Sequence, residues 1–96
     1  MGIKELLEAK KTDVFRLARY HGAKNIRVFG SVARGEAGPD SDLDLLVEME
    51  SGRSFLDLVA LWQELEELLG RKVDIVTDGG LSPYLQDRIY SEAVSL

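Results

Sequence analysis

The sequence predicts an α/β domain of the α+β kind, a small β-sheet with helices packed on it. Three observations carry this. Short apolar runs around Ile26–Phe29, Asp42–Val47 and Arg71–Thr77 are too short for helices, and the first and last are rich in β-branched residues. Longer stretches with helically spaced apolar residues alternate with them, near 3–20, 55–69 and 83–92. The chain has 96 residues, which sets an expectation of one domain over residues 1–96. The order α-β-(turn helix)-β-α-β-α is that of a layered α/β fold.

The first helix carries a stripe of Ile3, Leu7, Val14, Leu17 and Ala18. Thr12-Asp13 could cap a second segment, so a kink or split is expected there, and Gly22 is a natural stop. His21, the only histidine, reads as a surface or capping residue and gives no basis for a histidine mechanism. The polar stretch Glu48–Ser54 reads as loop, with Ser51 or Ser54 capping the next helix. In that helix Phe55, Leu58, Val59, Trp62, Leu65 and Leu69 form an inward face widened by Leu56, Leu61 and Leu68, while Glu64, Glu66 and Glu67 form a solvated one. Trp62 reads as core rather than a ligand stack, and Gly70 ends the helix. Val73, Ile75 and Val76 make a third strand, Asp78-Gly79-Gly80 a turn, and Ser82-Pro83 the cap and first turn of a last helix with Leu85, Ile89 and Ala93 inward. Val94–Leu96 either adds an edge strand or trails off.

Composition narrows the function classes. A 45% hydrophobic content with 30% charged residues suits a small core and is not that of a disordered chain. A net charge of −5 and a pI near 4.8 argue against direct nucleic-acid binding through phosphate contacts. Zero cysteines exclude disulfides and thiolate metal sites and suit a cytoplasmic setting. No apolar run approaches a membrane span, and the charged N-terminus is unlike a signal peptide. Met1-Gly2 opens like a myristoylation motif, but Leu6 stands where serine or threonine is needed.

The chemistry concentrates between Ile26 and Val47. The first strand runs into Gly30-Ser31, where glycine permits a sharp turn and close ligand approach and serine suits a helix N-cap. Free N–H groups at a helix start bind phosphate oxygens. After a second turn at Gly38-Pro39-Asp40-Ser41 the chain returns with Asp42 and Asp44 on one strand face. Two carboxylates about 5 Å apart repel by roughly 3 kcal/mol at an effective dielectric near 20. A divalent cation relieves this, and Mg²⁺ takes carboxylates together with substrate phosphates. Taken alone, the pair reads as the polar face of an amphipathic strand; with the Gly-Ser turn at the end of the preceding strand, it reads as a phosphate-plus-metal site. Asp74 is likewise either the polar face of a half-exposed strand or a third carboxylate of the same site. Arg34 is either a phosphate partner or a surface turn residue, and Glu36 and Glu48 read as solvated. A P-loop is excluded by the missing Gly-Lys-Ser/Thr ending. An EF-hand is excluded by Leu45 and Ser51 where glycine and glutamate are needed. The Asp-x-Asp pair also occurs in metal-dependent glycosyltransferases, whose fold this chain is too short to hold.

Gly30-Ser31, ten intervening residues and Asp42-x-Asp44 resemble the signature of the DNA polymerase β-like nucleotidyltransferases. The stretches Phe29–Glu36 and Ser41–Val47 are similar almost word for word to the minimal, MNT-type members, and the likeness spans nearly the whole chain. The resemblance implies a mixed sheet of the polymerase β palm kind and Mg²⁺-dependent transfer of AMP from ATP with loss of pyrophosphate. It implies two Mg²⁺ ions held by Asp42, Asp44 and Asp74 as catalytic and metal-binding residues. Gly30, Ser31 and Arg34 are the implied nucleotide-binding residues. The minimal members it resembles are antitoxins of HEPN–MNT toxin–antitoxin pairs, so the implied acceptor is a tyrosine hydroxyl of a HEPN ribonuclease partner in a hetero-oligomer. Two other functions are carried forward: an antitoxin that occludes its partner without catalysis, and a nucleotidyltransferase for small molecules such as antibiotics.

Overall fold

A computed structural model describes residues 2–38, 40–80 and 83–96. Helix α1 (Ile3–Tyr20) is followed by strand β1 (Ala23–Phe29), the five-residue helix α2 (Gly30–Arg34), β2 (Leu43–Met49), α3 (Phe55–Leu69) and β3 (Val73–Thr77). A short 3₁₀ turn (Asp78–Gly80), α4 (Pro83–Glu92) and β4 (Val94–Ser95) complete the order. The strands form one mixed sheet in the order β3-β2-β1-β4: β1 is antiparallel to β2 and to β4, and β2 is parallel to β3. The mixed sheet implied by the resemblance is therefore present, and Val94–Ser95 is the edge strand rather than a trailing end.

Pleating gives the sheet two unlike faces. Ile26 and Val28, Leu43, Leu45 and Val47, and Val73 and Ile75 face a core shared with Ile3, Leu7, Val14 and Ala18 of α1 and Leu61, Leu65 and Leu69 of α3. The intervening residues turn to the other face in two rows across the strands: Phe29, Asp44 and Asp74 in one, Arg27, Leu46 and Val76 in the next. Leu46 is fully buried but stands outside the main core, and the Tyr90 ring of α4 lies over Arg27 beside it, 5.4 Å from the guanidinium carbon to the ring centroid.

Several expectations are corrected. Helix α1 runs unbroken through Thr12-Asp13; Asp13 pairs instead with Arg16 one turn on, at 3.2 Å. His21 is the C-cap of α1, but it is buried, and its Nε2 meets the Glu64 carboxylate of α3. Glu66 is not simply solvated either, since its carboxylate accepts a 3.0 Å hydrogen bond from the Val73 N–H. Glu48 lies in β2 rather than in a loop and accepts from the Asn25 side-chain amide at 2.9 Å. Phe55 and Leu56, expected inward, are 71% and 76% exposed. The first turn of α3 lies beside Met49 and Thr77, the last residues of β2 and β3, where the sheet no longer covers it. Leu85 is 49% exposed, and α4 buries no residue fully. Ser54, not Ser51, caps α3, and its N–H donates to Asp57 Oδ2 at 3.0 Å. The proposed Ser82 cap and the Pro39 turn position lie outside the described residues.

Trp62 is partly buried against the core, and its Nε1–H donates to the Val73 carbonyl at the start of β3. With Glu66 it joins α3 to both polar groups of that residue. Trp62→Phe is expected to cost about 1–2 kcal/mol by leaving a part-buried carbonyl without its donor. Urea unfolding measures it, and an unchanged midpoint would refute the bond's contribution.

Candidate active site

The site forms where β1 ends and where β2 and β3 begin. Phe29, in extended conformation, is the N-cap of α2, so Gly30 and Ser31 are already inside the first turn. Ser31 is therefore not the cap the sequence suggested; its carbonyl instead accepts from Glu36 N–H at 2.9 Å, closing the end of α2. Gly30 has φ +73°, and a Cβ there would collide with Asp44 Oδ2 and stand 3.1 Å from Asp44 Cγ. The lack of a side chain at Gly30 is what lets the Asp44 carboxylate lie against the turn.

Asp44 pairs in register with Phe29 on one side and with Asp74 on the other. Parallel register puts both carboxylates on the same face, so the third acidic residue arrives beside the first pair. Asp42 precedes β2 by one residue and is half-buried, as are Asp44 and Asp74. The carboxyl of Asp44 is pushed above its ordinary 3.8, first by burial, then by the charges of Asp74 and Asp42, with Arg34 opposing. Asp44 thus feels the charges of both other aspartates. Among the described residues, no group of three acidic or histidine side chains by itself closes to metal-ligand geometry.

Arg34 ends α2. Its Nε donates to Glu36 at 2.9 Å and its Nη1 to both carboxylate oxygens of Glu92, at 3.3 Å each. The bond to Glu36 is the main cause that raises its pKa, so it stays a cation. Neither glutamate was legible as part of the site: Glu36 read as solvated, and Glu92 is brought in from 58 residues away by a helix whose docking no local pattern reveals. Arg27 lies one row further along the same sheet face as Asp44 and Asp74, and sequence reading gave it no role. Its alternation with Phe29 on β1 was the available signal; its Nη1 is buried and finds no hydrogen-bond partner among the described residues.

The crowding at Asp44 has a consequence for stability. Its folded pKa is raised, so its penalty is absent well below pH 4 and grows as pH rises through the folded value. In chelator, Asp44→Asn is expected to raise the thermal midpoint at pH 7, with the gain shrinking as pH falls toward 4. A variant less stable than the parent at pH 7 would contradict the crowding.

The model of the nucleotidyltransferase domain family matches residues 10–96. The chain belongs to that family. This nucleotidyltransferase is 46% identical over 86 residues to a Methanocaldococcus jannaschii protein named as a candidate protein adenylyltransferase, covering 90% of this chain and 92% of that one. It is 39% identical over 92 residues to the protein adenylyltransferase MntA of Thermococcus cleftensis, covering 96% and 90%. A solved structure described as a candidate minimal nucleotidyltransferase superposes with a TM-score of 0.87 at 53% identity, covering 96% of this chain and 94% of that one. At 20% identity the likeness is of fold alone. A structure of a tri-AMPylated Shewanella oneidensis HEPN toxin in complex with an MNT antitoxin matches with a TM-score of 0.69, covering 92% of this chain and 69% of that one. No helix among the described residues is long and apolar enough to cross a membrane.

Proposed function

We propose that this nucleotidyltransferase moves AMP from ATP onto a hydroxyl of a partner protein, that the partner is a HEPN-type toxin, and that the modification silences it. The observation that carries the reading is the register of Asp44 with Asp74, with Gly30 against Asp44. The names of the relatives, which match nearly end to end, supply the substrate class.

In this reading Gly30 and Ser31 take the terminal phosphates through backbone N–H groups and the hydroxyl, and Arg34 pairs with them as a fixed cation. Asp42, Asp44 and Asp74 offer only hard oxygen donors, and the mutual repulsion felt at Asp44 is what a cation would relieve, so the residues fit Mg²⁺. Two Mg²⁺ ions, when bound, supply charge neutralisation at the attacking and leaving oxygens. The acceptor oxygen, that of a tyrosine, attacks the α-phosphorus. A new O–P bond forms, the bond to the β-phosphate oxygen breaks, and pyrophosphate leaves. Asp74 takes the hydroxyl proton.

The test is co-expression with a HEPN partner, followed by intact-mass measurement of that partner. The expected result is a gain of AMP mass that disappears in the Asp42→Asn/Asp44→Asn variant. A silenced partner in a tight complex, with unchanged mass, would replace this reading with the occluding antitoxin.

A further inference from the structure

We propose that Glu92 is a positioning residue for nucleotide binding: from α4 it holds the Arg34 guanidinium in the orientation that meets the phosphates. The inference rests on the reading of Arg34 as a phosphate contact.

Arg34 sits three residues after Ser31 at the end of a five-residue helix, on a long side chain that is 40% exposed. Left alone, such a side chain samples many rotamers, and a ligand would have to order it. Here two carboxylates order it beforehand. Glu36 takes Nε, and Glu92 takes Nη1 with both oxygens. These pairs use two of the three guanidinium nitrogens and leave Nη2 outside them. Glu36 is 65% exposed and next but one in the chain, so it moves with Arg34. Glu92 is 24% exposed and belongs to another element, so it is the anchor.

That anchor is set by the fold. Glu92 is the last residue of α4, and two residues earlier Tyr90 lies over Arg27 on the same sheet face that carries Asp44 and Asp74. The helix buries no residue fully, yet two of its side chains reach arginines, Glu92 to Arg34 and Tyr90 to Arg27. A single partly exposed ion pair contributes little to folding. Placed here it fixes a cation whose charge already acts on Asp44. Fixing a binding group before the ligand arrives improves affinity by removing its ordering cost.

The experiment measures, by titration calorimetry on the full chain, the Kd of a non-hydrolysable ATP analogue with Mg²⁺. Arg34→Ala is expected to weaken binding about tenfold or more, the loss of one charge-assisted bond. Glu92→Ala weakens it about 3- to 10-fold, the cost of ordering one freed side chain. Glu92→Gln, isosteric and still an acceptor, loses less and guards against misfolding. In the Arg34→Ala background, Glu92→Ala changes nothing further. Unchanged or tighter binding in Glu92→Ala would overturn the proposal, tighter binding marking Glu92 as a rival for Arg34. So would an equal loss in both backgrounds, which would trace the effect to α4 packing. An Arg34→Ala variant that binds like the parent would remove the phosphate role of Arg34 itself, a failure distinct from that of Glu92 alone.

Discussion

Replacing Asp44 by asparagine is expected to lower nucleotidyl transfer by about three orders of magnitude while leaving the protein folded. Losing several kcal/mol of transition-state charge stabilisation produces that factor, at about 1.4 kcal/mol per tenfold. Asp44 is the member of the trio with the most to lose. It stands in register with Asp74, lies against Gly30, and feels the charges of both other aspartates. The same substitution that stabilises the metal-free chain at neutral pH should therefore abolish its chemistry. A stability gain coupled to an activity loss marks a site held in tension for function rather than a polar strand face. Single-turnover assays against the parent measure it, and residual activity above a tenth of the parent would remove Asp44 from the catalytic set.

Gly30→Ala should be nearly as damaging for a different reason. The substitution adds only a methyl group, but at φ +73° and directly into the Asp44 carboxylate. The carboxylate must move by about an ångström, and misplacement of that size costs on the order of 100-fold in rate. Backbone strain adds a loss of about 1–2 kcal/mol in stability. Gly35 supplies the control. Its φ is +75°, yet a Cβ there meets nothing closer than Lys4 Nζ at 3.9 Å. Gly35→Ala should show the stability loss without the rate loss. Equal rate losses in the two variants would mean that strain in α2, rather than contact with Asp44, is what matters.

The parts of this protein that were legible in its sequence are those governed by local pattern. The three strands, α3, and the Gly-Ser turn leading to Asp42 and Asp44 all announce themselves through periodicity or turn chemistry, while the cap of α3 stayed open between Ser51 and Ser54. What local pattern could not show is how elements meet. Asp74 was readable as a charge in an apolar strand, but its place beside Asp44 depends on parallel pairing of β2 and β3. His21 read as a surface residue because nothing in its neighbourhood reveals Glu64, which arrives from α3. Phe55 and Leu56 fit the helical stripe, yet the sheet ends before reaching them, so spacing misjudged their burial. Thr12-Asp13 carried a capping signal inside a helix that continues because its flanking residues Leu7, Val14 and Ala18 bury against one core. Glu92 completes Arg34 across the whole later half of the chain, the kind of contact that only the fold discloses.

The most direct test of the central claim compares two labels in one reaction. The parent protein, Mg²⁺ and its partner are incubated with ATP labelled at the α-phosphate, and in parallel with ATP labelled at the γ-phosphate. Nucleotidyl transfer to a protein hydroxyl predicts that the α-label becomes covalently attached to the partner and the γ-label leaves with pyrophosphate, with no incorporation of either in the Asp42→Asn/Asp44→Asn variant. Incorporation of the γ-label would mean phosphoryl transfer. Incorporation of neither, with a stable complex still formed, would mean that the Gly30–Asp44–Asp74 site does not modify that partner.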